Sequence, residues 1–79
     1  MPHYFFDETD SGREPFRDEQ GMELPDLKAA RLEALRALGD IAKDELPDGD
    51  LRSFVINIRE GAGPILLTVS LSLRVEQKW

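Results

Sequence analysis

Residues 65–76 alternate more strictly than any other part of the chain. Ile65, Leu67, Val69, Leu71, Leu73 and Val75 fall on one side, and Leu66, Thr68, Ser70, Ser72, Arg74 and Glu76 fall on the other. A period of two is a β-strand with one apolar face, and such a face must be covered by something. Residues 52–59 repeat the pattern, with Phe54, Ile56 and Ile58 opposite Ser53, Val55 and Asn57. Glu60-Gly61-Ala62-Gly63-Pro64 lies between the two runs and reads as a hairpin loop.

The cover is a helix. Pro25 pushes Leu24 into extended geometry, and the Asp26 carboxylate is placed to accept an N–H of the first turn. Strong helix formers then run from Leu27 to Leu46, a helix about 30 Å long. Pro47-Asp48-Gly49 stops it as a type I turn. Ahead of the helix, His3-Tyr4-Phe5-Phe6-Asp7 reads as a strand ended by the turn Thr9-Asp10-Ser11-Gly12. Glu14 to Glu19 is a return arm that Pro15 confines to an edge or a strand start. The expected architecture is an α+β two-layer sandwich: an antiparallel sheet of three to four strands with one helix packed on one face, in the order β-β-α-β-β. The pattern does not assign the strand order.

Two apolar surfaces exceed what this layout uses. At about 100° per residue the apolar arc of the helix spans roughly 220°, where about 100° suffices to face one sheet. The surplus edge holds Leu32, Leu35, Gly39 and Leu46. Either the loop from Asp18 to Leu24 folds over it, or a second copy of the chain does. Arg31 lies within the arc and either snorkels outward along its stem or pairs with the acidic N-terminal segment. The last strand is likewise longer than its hairpin partner. The first strand, Tyr4 to Asp7, is the expected cover for the remainder, and a symmetry-related last strand is the alternative.

At 79 residues the chain is expected to form one small domain, residues 1–79. It has no cysteine, so disulfides and thiolate metal sites are excluded. No apolar stretch approaches the roughly 20 residues of a membrane helix, and Met1-Pro2-His3-Tyr4 lacks the layout of a signal peptide, so a cytoplasmic location is expected. The formal charge is -6, and it is unevenly placed. Residues 1–27 carry Asp7, Glu8, Asp10, Glu14, Asp18, Glu19, Glu23 and Asp26 against Arg13 and Arg17, while the remaining two segments, 28–46 and 47–79, are each neutral. The acidic third is a solvated face or a docking surface for a basic partner. The candidate interaction residues are therefore Asp7, Glu8, Asp10, Asp18 and Glu19 on the acidic hairpin, and Leu32, Leu35, Gly39 and Leu46 on the helix.

Residues suited to other chemistry are few. One histidine and no cysteine do not make a transition-metal site, so no cofactor is expected. Asp7, Thr9, Ser11, Gly12 and Asp18 fall at calcium-loop spacing, but two carboxylates are replaced by hydroxyls, the bidentate Glu is missing, and hairpin turns select the same residues. No nucleophile elbow appears, and Ser70 and Ser72 sit on a wet strand face. Gly61-Ala62-Gly63-Pro64 lacks the lysine and helix of a phosphate loop. A chain this small has little room for a pocket that tunes carboxylate pKa values, so no enzyme is expected. The charge and the lack of a basic stripe argue against nucleic acid, and no membrane partner is expected.

The opening Met1-Pro2-His3-Tyr4-Phe5-Phe6-Asp7 and the later run from Asp18-Glu19-Gln20-Gly21 through Leu24-Pro25-Asp26-Leu27 to Arg31 resemble a family of short bacterial proteins, domain of unknown function 6894. The likeness extends over nearly the whole chain, including a Phe54-Val55-Ile56-Asn57-Ile58 strand. It implies a single complete domain and carries no activity with it. A looser, fold-level similarity is to the partial ribonuclease-H-like domain of HicB-type antitoxins, acidic domains that neutralise a small basic toxin. The expected function is a non-enzymatic interaction or regulatory module, acting through the acidic hairpin and the apolar helix flank, with a homodimer as one form. The alternatives are an antitoxin-like inhibitor of a small basic enzyme and a carboxylate-based cation binder.

Overall fold

The computed structural model describes residues 1–10, 14–45 and 51–78. Strand β1 (His3–Asp10), the two-residue β2 (Met22–Glu23), helix α1 (Leu27–Glu45), β3 (Leu51–Glu60) and β4 (Ile65–Arg74) follow one another along the chain. The sheet is antiparallel throughout, in the order β2-β1-β3-β4. The fold is thus the α+β layout read from the pattern. Thr9 and Asp10 continue β1 instead of turning. Ser11, Gly12, Leu46 and the Pro47-Asp48-Gly49 stop lie outside the described residues.

Register explains which faces are buried. Phe6 lies opposite Ile58, Ile56 opposite Val69, Ile58 opposite Leu67 and Phe54 opposite Leu71, which lines these apolar side chains along one face. The alternation breaks at one end, where a register shift between Ile58 and Arg59 sets Ile65 opposite Arg59, and Val75 lies beyond the strand. The hairpin turns on Gly61, whose φ of 60° occupies the first central position of a turn closed by the Gly63 N–H donating to the Glu60 carbonyl at 3.1 Å.

The helix begins as its cap dictates: Asp26 Oδ1 accepts the Ala29 N–H at 2.9 Å. Its buried row is Ala30, Ala34, Leu38 and Ala42, residues four apart on one face. Three of the four are alanine, so the backbone lies close over Phe54, Ile56 and Ile58, all of them fully buried. The helix packs on β3 and β4. Leu27, Ala37 and Ile41 flank the row and touch the core. The opposite flank is uncovered: Leu32 is 48% and Leu35 41% exposed, and Gly39 has open space where a Cβ would stand. Arg31 is exposed, as a snorkelling side chain should be.

Two expectations about cover are corrected. The segment from Asp18 to Leu24 does not fold over the Leu32 flank. Met22 pairs with Tyr4, and only Leu24 packs against the core. Nor does the first strand extend the cover of β4. It pairs with β3 on the side away from β4, and β3 itself, two residues longer than its alternation suggested, pairs with β4 from end to end.

The return arm exists, in a broken form. Glu8 and Phe16 exchange both backbone hydrogen bonds at 2.8 Å, and farther along Tyr4 pairs with Met22 and His3 with Glu23. From Phe16 to Met22 the arm uses six steps where β1, from Glu8 to Tyr4, uses four, so two residues are surplus. Gly21 absorbs the resulting bend at φ 67°, beneath the His3 ring, whose Nε2–H donates to the Gln20 carbonyl at 2.6 Å. A Cβ on Gly21 would lie 2.6 Å from that ring and 2.7 Å from the Tyr4 carbonyl oxygen.

These two glycines predict opposite outcomes for one substitution. Gly21→Ala combines a left-handed backbone with a backbone clash and is expected to destabilise the fold by about 2 kcal/mol or more. Gly39→Ala, on an exposed helix turn with open space, is expected to stabilise it by about 0.5–1 kcal/mol. Urea unfolding followed by circular dichroism reads both.

Candidate functional site

On the sheet face away from the helix, the alternation of β3 brings Arg59 beside Phe5 and Asp7 of β1. Arg59 is 8% exposed, the one buried charged side chain among the described residues. Its Nε donates to Asp7 Oδ2 at 2.9 Å, its Nη1 to the Gly61 carbonyl at 2.6 Å and its Nη2 to the Asp18 carbonyl at 2.8 Å. The guanidinium also lies over the Phe5 ring, 4.5 Å from its centroid. The Asp18 carboxylate accepts the Phe6 N–H on Oδ2 and the Gln20 and Gly21 N–H groups on Oδ1, each at 3.1 Å. Where the arm's backbone has moved away from β1, this carboxylate takes the place of a strand carbonyl.

Burial alone would raise both carboxyls. At Asp7 the Arg59 hydrogen bond, the Asp18 N–H and the charges of Arg59 and Arg17 outweigh it, and the group is held below the ordinary carboxylate range. At Asp18 the N–H groups of Gly21, Phe6 and Gln20 do the same against burial and the nearby Asp7 charge. Asp7 and Asp18 therefore spend their charge inside the molecule. Asp10 is similarly engaged, with both carboxylate oxygens accepting from Arg52 Nη2 at 2.7 and 2.9 Å.

Glu8, together with the already paired Asp10, borders a groove of about 360 Å³ between β1 and the second half of the helix. Because the helix packs on β3 and β4, the β1 side of its buried row is left open. Leu38, Ile41, Phe16, Phe54 and Ile56 supply apolar lining, while Glu8, Glu14 and Asp44 supply carboxylates. Glu19 is exposed farther along the arm. Of the helix candidates, Leu32, Leu35 and Gly39 are brought together on the opposite flank, toward β4, and Leu46 is outside the described residues.

Sequence reading missed Arg59, Phe16, Ile41 and Asp44. Arg59 was legible in part: the β3 alternation assigns it, with Asn57, to the wet face. Nothing local to the sequence says that β1 would bring Asp7 there. Among the described residues no group of three or more histidine, cysteine, aspartate or glutamate side chains is placed to hold a metal ion, and no described helix is long and apolar enough to cross a membrane.

The network predicts a pH profile. With both carboxyls lowered in the folded chain, the unfolded chain takes up protons first on acidification. Their stabilisation is complete above about pH 4 and is lost as the pH falls through the lower folded values. Urea midpoints measured at successive pH values should fall below that point, and Asp7→Asn should be weaker at neutral pH with a shallower acid fall. An Asp7→Asn profile parallel to the wild type would contradict the assignment. Arg59→Ala, which strands Asp7 and two carbonyls, should cost about 3 kcal/mol in the same assay and speed amide exchange at Phe6 and Gly21.

Comparison with known proteins places the whole fold in one family. No curated protein and no solved structure matches the chain. A family model, Domain of unknown function (DUF6894), matches residues 3–72, from the first residue of β1 to near the end of β4, and so takes in every strand, the arm and the helix. The chain belongs to the DUF6894 family.

Proposed function

We propose that the protein is a non-enzymatic interaction module that receives a basic partner on its acidic N-terminal edge and uses the apolar helix flank as a second contact surface. The observation that carries this reading is the groove between β1 and the helix, where apolar lining and unspent carboxylates occur together. A lysine or arginine side chain fits that chemistry: its aliphatic stem covers Leu38, Ile41 and Phe16 while its cation meets Glu8, Glu14 and Asp44. The Arg59 network supports the same reading because it holds the arm, and with it Glu14 and Phe16, against β1. An antitoxin-like inhibitor of a small basic enzyme is one case of this class. The charge of the edge favours fast, salt-sensitive association.

The test compares two proteins, the wild type and a triple variant carrying Glu14→Lys, Glu19→Lys and Asp44→Lys. All three positions are exposed, so the variant should keep its melting temperature within a few degrees. Each is immobilised and exposed to lysate of the native host at low and at moderate salt. The expected result is a basic protein held by the wild type at low salt, released as salt rises and not held by the variant. Equal recovery on both surfaces, or no basic protein at low salt, overturns the reading.

A further inference from the structure

We infer that the free edge of β4 is a docking site for an extended segment of another protein, one with an apolar centre flanked by carboxylates, which adds to the sheet as a fifth strand. This rests on the reading of the helix flank as a contact surface and names what that surface takes.

The two edges of the sheet are treated differently. At the β1 edge the chain closes itself with β2, the Phe16 bridge and the Asp18 carboxylate. At the other edge, β4 presents ten residues with no proline and no lysine, and its one charge, Arg74, stands at the very end. Among the described residues nothing pairs with its outer side. Soluble proteins ordinarily blunt such an edge with charge, proline or a covering segment, and an unblunted one is a template for strand addition.

The surroundings of this edge select the occupant. On the helix-facing side of β4, opposite Phe54, Leu71 is 38% exposed, and the helix flank turned toward this strand carries the exposed Leu32 and Leu35. At about 100° per residue the helix residues that border this flank are Lys28, Arg31, Arg36 and Lys43, all exposed. Arg36 is already paired with Glu33 at 3.3 Å, which leaves Lys28, Arg31 and Lys43 as the cations facing the flank. Asp40 and Asp44 project from the other side, the side on which Asp44 lines the groove with β1. A chain of formal charge -6 thus carries a basic rim around an apolar strip. The acidic arm is three strand spacings away, about 15 Å, and Glu8 on β1 two spacings, about 10 Å, against a Debye length of about 8 Å at physiological salt, so the cations beside β4 are the nearest charges an approaching segment meets. A second copy paired β4 to β4 about a two-fold axis would set this basic rim against its own image. An acidic segment meets it with opposite charge, while backbone hydrogen bonds along β4 supply strand pairing.

The probe is a synthetic peptide with alternating valine and threonine at its centre and two glutamates at each end, titrated into isotope-labelled protein and followed by amide NMR. Expected are shifts and slowed exchange concentrated at residues 65–74, with binding about tenfold weaker for a peptide ending in lysines, or for the Lys28→Glu, Lys43→Glu protein. A proline at the peptide centre should abolish the β4 shifts. Absence of β4 shifts overturns the proposal, and so does equal binding of the lysine-ended peptide. It is also overturned if light scattering finds a dimer whose β4 amides are already protected without peptide, since a second copy is then the occupant. The acidic edge plays no part in this measurement, so its failure and the failure of basic-partner capture can be told apart.

Discussion

The acidic side of the molecule depends on one guanidinium. Arg59 belongs to β3, a central strand, yet its three nitrogens reach β1 at Asp7, the arm at Asp18 and the hairpin at Gly61. A buried cation is tolerated only when its donors are met, and the planar fork of arginine lets one side chain meet β1, the arm and the hairpin at once. Lysine would offer a point charge to one of them. Because the Asp7 carboxylate also accepts the Asp18 N–H at 2.9 Å, arm and sheet are tied from both directions. The two surplus residues of the arm can thus be accommodated without losing the pairing at Phe16 and Met22.

The helix sets the rest through the size of its buried side chains. A row of alanines brings α1 close to the sheet and centres it on β3 and β4, with Leu38 the one large residue in the row. That placement covers Tyr4 and Phe6 but leaves the Glu8–Asp10 end of β1 without a helix above it, which opens the groove, and turns the surplus leucines toward β4. Both surfaces are therefore consequences of a single choice, small residues under the middle of the helix. Larger side chains in the row would lift the helix and change both at once.

The parts of the fold legible in the sequence are those governed by neighbours along the chain: the alternation of β3 and β4, the Asp26 cap and the hairpin on Gly61. The strand order was not legible, because β1 reaches β3 across the helix and nothing near Tyr4 or Phe6 distinguishes that neighbour from β4. The acidic candidates show the same division. Charge counting singled out Asp7, Asp10 and Asp18 together with Glu8 and Glu19, but only tertiary partners, Arg59 for Asp7, Arg52 for Asp10 and the Phe6, Gln20 and Gly21 N–H groups for Asp18, separate the carboxylates that hold the fold from those that do not. The surplus at Leu32 and Leu35 was legible because arc width is a local property. What lies beside it depends on which sheet edge the helix overlies.

Net charge is consequently a poor guide to this molecule. Among the described residues Asp7 and Asp10 are paired with arginines inside the molecule, Glu8, Glu14 and Asp44 border the groove, and on the helix Asp40 and Asp44 lie on the β1 side while Lys28 and Lys43 lie on the β4 side. A sheet of four strands is wide enough, at about 15 Å between its edges, for each field to be screened from the other. Occupation of one edge therefore neither requires nor electrostatically prevents occupation of the other. Coupling between them passes through packing: through the helix, which borders both surfaces, and through β1, β3 and β4, where the Arg59 and Asp10–Arg52 contacts join the strands. A partner that loosened the arm would be felt at β3 before it was felt at β4.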